Sequence, residues 1–428
     1  MERETFKKEF LESKAGGVYS LFGPAGSGKS QIIIDIVQEL QKSKTDFVVL
    51  TPTHAAKNRL KADGISAGTI HSFLGIGMVT NLLANSAVDA EEESSFNNTF
   101  EEIVRVVIVD EFSMASKKLL VQLKKRSIKL LLVGDTAQLP PVKALGLTRL
   151  DVESKSVVSY ELTKIYRTSN ETIKERSAKC RDTGAVDVDG TVDELTTAFL
   201  EDPSEDKLYC AYLNAEVTRV TELLHSEPKE GMEVIGHTGY KFWSSKHGTH
   251  AEELFNGDLV EVDKILDQKP YCDGATQAFE LYDFPNLEND PKYFKCTMVG
   301  VSLPFVQCYL GNKKKFQETH LDPVFRVLRR LAAKMAVKYS LKDSGDVWAE
   351  YKSGSRITAK EKRDLSIAYR RYKQMDNVFV CTDARVSTVH KAQGRGFDNV
   401  YVNLTKMDAK QKYVAVTRAK NKLTTGVK

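Results

Sequence analysis

Two phosphate-directed segments at opposite ends of this chain constrain its fold more than anything else. Residues 23–30 read GPAGSGKS and residues 413–420 read YVAVTRAK, in a chain of 428 residues. The first segment follows an apolar run, Val18–Phe22. It opens a stretch in which Ile32, Ile33, Ile36, Val37 and Leu40 recur at helical spacing. Strand, glycine-rich loop and helix are the context in which backbone N–H groups cradle phosphate. Gly23, Gly26 and Gly28 let the backbone turn inward, with Pro24, Ala25 and Ser27 between them. Lys29 suits neutralising the phosphates and Ser30 suits Mg²⁺. If both segments serve one nucleotide, the fold must bring its two ends together across a cleft.

Three further segments read as strands with polar C-terminal ends. Val106–Glu111 ends in two acids, of which Asp110 suits Mg²⁺ and Glu111 suits orienting or deprotonating a water. Leu130–Asp135 leads to Gln138, a neutral side chain that can sense a terminal phosphate. Phe47–Leu50 runs into Thr51-Pro-Thr-His-Ala-Ala-Lys57. Polar groups at strand ends sit on the ligand-facing edge of a parallel sheet, so an α/β fold is expected. Residues 75–100 interrupt this rhythm with small and acidic residues and read as an insertion or a surface loop.

A net charge of +4 makes no broadly basic surface, so any nucleic-acid contact must be a local groove. The cysteines at 180, 210, 272, 296, 308 and 381 are scattered, which argues against a zinc site or a disulfide framework. No run approaches the roughly 18 apolar residues of a membrane span. A cytoplasmic protein is expected.

With these segments in view, the chain resembles superfamily 1 helicases of the 5′→3′ branch, such as phage Dda helicase and RecD-like proteins. The matching segments occur in the family's order. They are GPAGSGKS, TPTHAAKNRL, GTIHSFL, VIVDEFSM, VGDTAQLPPV, LTKIYRTS, STVHKAQGRGFD and YVAVTRAK. The resemblance implies two RecA-like domains with an inserted SH3-like barrel and a helical arm. It implies ATP and Mg²⁺ as cofactors, held by Lys29, Ser30, Asp110, Glu111 and Gln138 on the first domain. Arg167, Gly394 and Arg418 face them from the second. For Arg167 a surface salt bridge is the competing reading. Thr53, His54, His71, Phe73, Thr388, His390 and Lys391 would contact single-stranded DNA. A core position is the alternative for Phe73. Relatives usually carry a glutamine upstream of the phosphate loop that reads adenine. No glutamine precedes Gln31 here, which leaves NTPs other than ATP open as substrates.

The expected domains are 1–160, with 75–100 inserted, then 161–225 with 377–428, then an insertion at 226–376. Within that insertion a barrel is expected at about 228–320 and a helical arm at about 321–376. Asn377–Cys381 is expected to return to the second parallel sheet. In the arm, Val324, Val327, Leu328, Leu331 and Met335 share a helix face, and Thr358 with Glu361 forms a capping box. The function expected from the resemblance is a monomeric, ATP-dependent 5′→3′ DNA helicase. It would act at single-strand/duplex junctions, with Phe96 as a candidate strand-splitting tip and with replication or recombination proteins as partners. The rivals are a translocase that does not unwind and a nucleotide-dependent DNA-binding switch.

Overall fold

The computed structural model describes residues 2–13, 16–76, 103–141, 146–148, 151, 153, 155–224, 226–243, 250–254, 256–266, 292–298, 306–342, 344–353 and 356–428. Phe96 and most of the 75–100 segment lie outside the described residues. The chain forms two compact units, Met1–Val217 with Ser387–Lys428, and Thr218–Val386.

The first unit holds two parallel sheets. One is built from β1 (Gly17–Phe22), β2 (Phe47–Thr51), β3 (Gly68–Thr69), β4 (Val104–Asp110), β5 (Ser127–Gly134) and β6 (Val157–Glu161). Their order is β3-β2-β4-β5-β1-β6, with every neighbouring pair parallel. The apolar runs alternate between two cores. Val106, Ile108, Leu131 and Val133 join one layer with Phe6, Phe10, Ile33 and Ile36. Val107, Val109, Leu130 and Leu132 join the other with Phe112, Leu120 and Leu123. Burial on both faces is what makes these strands continuously apolar. Helices α1 (Glu2–Glu12), α2 (Lys29–Lys42), α3 (His54–Ala62), α4 (Ile70–Phe73) and α5 (Lys117–Lys125) accompany this sheet.

The second sheet contains β7 (Gly190–Thr191) and β8 (Lys207–Ala211), joined from the far end of the chain by β16 (Val386–Thr388), β17 (Phe397–Asn403) and β18 (Ala419–Val427). The order is β16-β8-β17-β18-β7, with β17 parallel to both β8 and β18. Leu208, Cys210, Val400, Val402 and Val414 form its core. Helices α6 (Glu171–Thr183), α7 (Val192–Glu201) and α8 (Asn214–Leu224) precede the insertion.

The second unit is a closed barrel followed by helices. Strands β9 (Glu233–Gly236), β12 (Leu259–Leu266), β13 (Tyr293–Met298), β14 (Val306–Leu310) and β15 (Phe379–Asp383) close in the order β12-β13-β14-β15-β9, beside a β10 (Tyr240–Trp243) and β11 (His250–Leu254) pair. The segment Asn377–Cys381, expected in the second parallel sheet, belongs to the barrel instead. Its strand β15 pairs with β14 and β9. Phe379 and Cys381 enter the barrel core, while Val378 and Val380 pack outside it with Phe316 and Val324. A strand buried on both faces reads the same in a barrel as in a parallel sheet, which is why the sequence misled. After α9 (Lys313–Phe316), the arm comprises α10 (Asp322–Lys338), α11 (Ser344–Ser353) and α12 (Ala359–Asp376). Val324, Val327, Leu328 and Met335 are buried, and Thr358 and Glu361 form the capping box.

Candidate nucleotide site

Every group of the candidate site lies in the first unit. The loop from Gly23 to Gly28 joins β1 to α2. Gly26 and Gly28 adopt φ of 79° and 82°, which favours glycine. A Cβ on Gly26 would lie 2.5 Å from the Cβ of Arg167, so only bare backbone fits there. Gly28 caps α2 without a side-chain hydrogen bond, which leaves the first N–H groups of the helix to a ligand. The buried Lys29 ammonium donates to the carbonyls of Gly23 and Pro24, both at 2.9 Å. Burial lowers its pKa, against the pull of Asp135, Glu111 and Asp110.

At the end of β4, Asp110 and Glu111 are buried, and Glu111 takes a left-handed φ of 53°. A non-glycine residue held there costs on the order of 1–3 kcal/mol, a strain typical of functional positions. One arginine that the sequence reading passed over organises these acids. Arg59 Nη2 donates to Asp110 Oδ2 at 2.8 Å and to Ser30 Oγ at 3.0 Å. Its Nη1 lies 3.7 Å from Glu111 Oε1 and donates to the Gly394 carbonyl at 3.4 Å. Burial pushes the Asp110 carboxyl up to about 6 despite Arg59. Arg59 sits in the TPTHAAKNRL run, but its partners are 29 and 51 residues away, beyond any local spacing.

The second sheet supplies the other side. Arg418, just before β18, is buried and donates to Val414 O at 2.8 Å, Arg395 O at 3.0 Å and Thr417 Oγ1 at 2.8 Å. These partners are neutral, so its charge is not compensated by a carboxylate bond. Burial, with Arg167 nearby, lowers its pKa to about 9. The surface salt bridge considered for Arg167 is not what forms, because that side chain donates from Nη1 to Thr417 O at 2.9 Å. Buried Gln138 accepts from Gln393 Nε2 at 3.3 Å. Tyr413, on α14 (Ala409–Val416), is a second residue sequence reasoning missed. Its hydroxyl donates to Asp135 Oδ2 at 2.8 Å and accepts from the Ala25 N–H at 3.1 Å. A cavity of about 170 Å³ beside the loop is lined by Pro24, Ala25, Arg167, Arg181, Tyr413 and Thr417 among others.

The donor set fits a nucleotide with a hard divalent cation. Ser30 hydroxyl and Asp110 carboxylate are adjacent oxygen ligands of the kind Mg²⁺ prefers when phosphates complete its shell. Glu111 Oε2 and Ser27 Oγ are buried with no hydrogen-bond partner among the described atoms, which marks polar capacity left for a ligand.

The remaining candidates also sit at strand ends. Thr53 and His54 follow β2, and His71 and Phe73 follow β3. Thr53 Oγ1 is engaged in capping α3, accepting from Ala56 N at 3.2 Å. Phe73 is half-buried against the sheet core, so the core reading holds in part. Thr388 ends β16 and caps α13 (Val389–Ala392), which carries His390 and Lys391, and His390 is exposed 6.4 Å from the Tyr212 ring. The strand order thus separates two groups on the first sheet. The phosphate-directed residues follow β1, β4 and β5, and the others follow β2 and β3 at its edge.

The AAA domain family matches residues 5–195, and the UvrD-like helicase C-terminal domain family matches residues 383–424. No curated protein sequence matches the chain. Among solved structures, a Pif1 helicase from Candida albicans is 18% identical, with a TM-score of 0.51, and the match covers 100% of this chain and 94% of that one. A Bacteroides Pif1 helicase in complex with ADP-AlF3 and ssDNA is 17% identical, with a TM-score of 0.51, covering 100% and 92%. At these identities the structures testify to the fold. The two family matches thus fall on the two sides of the candidate site, an AAA domain on the first sheet and a UvrD-like helicase C-terminal domain on the second.

Proposed function

We propose that the chain is an ATP-driven motor that moves 5′→3′ on single-stranded DNA and unwinds the duplex ahead of it. The observation that carries this reading is the meeting of the chain's two ends at one loop. Arg167 abuts Gly26 and is bonded to Thr417, and Tyr413 bonds Ala25 directly, so Arg418 is tied to the phosphate loop through its neighbours. A Pif1 relative bound to ADP-AlF3 and ssDNA supports the same ligands here.

In this reading Lys29 exchanges its loop carbonyls for the β- and γ-phosphates. Ser30 and Asp110 would hold the cation, which would draw charge from the phosphate oxygens. Arg59, bonded to these same two oxygens, would yield them to the cation and keep its counter-charge beside Glu111. Glu111 orients the attacking water, with Oε2 facing no other partner. Gln138 senses the γ-phosphate. Arg167 and Arg418 stabilise charge developing on the transferred phosphoryl group, a role worth about 10³–10⁵ in rate. Once phosphate leaves, the attraction between arginines and loop falls, and the two sheets can alternate their grips on a strand held by residues near 53–73 and 388–391.

The test is unwinding of duplexes carrying a 5′ or a 3′ single-stranded tail, with each NTP in turn. Unwinding of the 5′-tailed duplex alone is expected. Unwinding of only the 3′-tailed duplex would reverse the polarity. DNA-stimulated hydrolysis with neither duplex opened would favour a translocase.

A further inference from the structure

The chain's positive charge is not spread evenly. Residues 322–376 contain fourteen Lys and Arg against seven Asp and Glu, a net of +7, while the whole chain is only +4. The remainder is therefore at −3. Within this arm Lys338 pairs with Glu361 at 2.7 Å and Lys373 with Asp376 at 3.5 Å. Arg326, Arg329, Arg330 and Lys334 on α10, with Arg370 on α12, are exposed and have no carboxylate partner among the described residues.

Aromatic rings run through this charge. Phe325 on α10 packs 5.4 Å from Tyr372 on α12, and one turn away Tyr369 lies 4.9 Å from Trp348 on α11. Arg329 lies over the Phe325 ring at 5.8 Å, and Lys373 over Tyr372 at 5.7 Å. Core packing accounts for part of this row, since Trp348 and Tyr372 rest against the arm's own apolar cluster. It does not account for Phe325 and Tyr369, which are 37% and 40% exposed beside the seam between the helices. Stability alone gives no reason to leave large rings in water under cations. Exposed rings interleaved with unpaired Arg and Lys are the surface that grips single-stranded nucleic acid, where bases stack and phosphates are neutralised.

We propose that the arm is a second binding site for single-stranded DNA, with Phe325 and Tyr369 as base-stacking platforms and Arg326, Arg329 and Arg330 as phosphate contacts. The site extends the motor reading, which places the strand only on the first unit. A duplex is the poorer fit, because its bases are already stacked on one another and gain nothing from exposed rings.

The experiment photocrosslinks the full chain to iodouracil-substituted oligothymidylate and maps the attached peptides. Crosslinks within 322–376 are expected, together with those near 53–73 and 388–391. The double variant Phe325→Leu with Tyr369→Leu keeps apolar bulk but removes the rings. It should cut the arm crosslinks at least about tenfold, through the loss of stacking at two bases. Arg329→Gln should lower the slope of log affinity against log salt by about 0.7. Crosslinks confined to the first unit would overturn the arm site and leave the motor reading standing. Crosslinks confined to the arm would support the arm site and count against the motor's strand path. Their absence from both would overturn both. A blunt duplex that competes as well as a single strand would overturn the assignment to single strands.

Discussion

The nucleotide site and the arm both gather positive charge, and they do so in opposite ways. At the site Lys29 and Arg418 are buried, Arg59 is half-buried, and each is individually bonded. Lys29 is held by two carbonyls, Arg418 by two carbonyls and a hydroxyl, and Arg59 by Ser30, Asp110 and Gly394. On the arm Arg326, Arg329, Arg330, Lys334 and Arg370 are exposed, without carboxylate partners among the described residues. Burial makes each charge costly unless its geometry is met, so the site is specific and sensitive to single changes. Exposure makes each charge cheap and weak, so the arm acts through their sum.

Single substitutions test that contrast, beginning where the effect is largest. Lys29→Ala and Glu111→Gln should each lower DNA-stimulated ATP turnover by about 10²–10⁴ in a steady-state phosphate-release assay. Their circular dichroism should be unchanged, and near-normal turnover would break the assignment of these groups. Tyr413→Phe removes a donor from Asp135 and an acceptor from the Ala25 N–H. A loss of about 1–3 kcal/mol of stability is expected by denaturant titration. An unchanged midpoint would mean that the tie between loop and helix carries no weight.

Arg59→Ala should resemble Tyr413→Phe in size but differ in condition. Without Mg²⁺ the acids at 110 and 111 lose their counter-charge, so the melting temperature should fall. Adding Mg²⁺ with nucleotide should restore most of the difference, because the cation then fills the arginine's place. A deficit that is the same with and without Mg²⁺ would contradict this. On the second unit, Thr358→Ala breaks an exposed capping box and should cost about 1 kcal/mol, read in the same titration. A cost several times larger would mean that the arm depends on single contacts as the site does.

The parts legible in the sequence are those whose chemistry is local. The loop at 23–30, the acids at 110 and 111 and the cap at Thr358 each announce themselves within a few residues. The parts missed depend on register between distant segments. Arg59 gains its role only when α3 lies beside β4, and Tyr413 only when α14 reaches back 388 residues to Ala25. Asn377–Cys381 reads equally well in either of two sheets, because its composition satisfies both. Its pairing is decided by β14 and β9, strands on which its own sequence is silent.

The central claim is that residues from both ends of the chain complete one hydrolytic site, and Arg418→Ala tests it most directly. ATP affinity and turnover should be measured together, by equilibrium binding of a fluorescent analogue and by DNA-stimulated hydrolysis. Affinity is expected to change severalfold while turnover falls about 10³ or more, since the arginine acts mainly on charge that develops during transfer. Turnover within a fewfold of the unsubstituted chain, in a folded variant, would contradict the account.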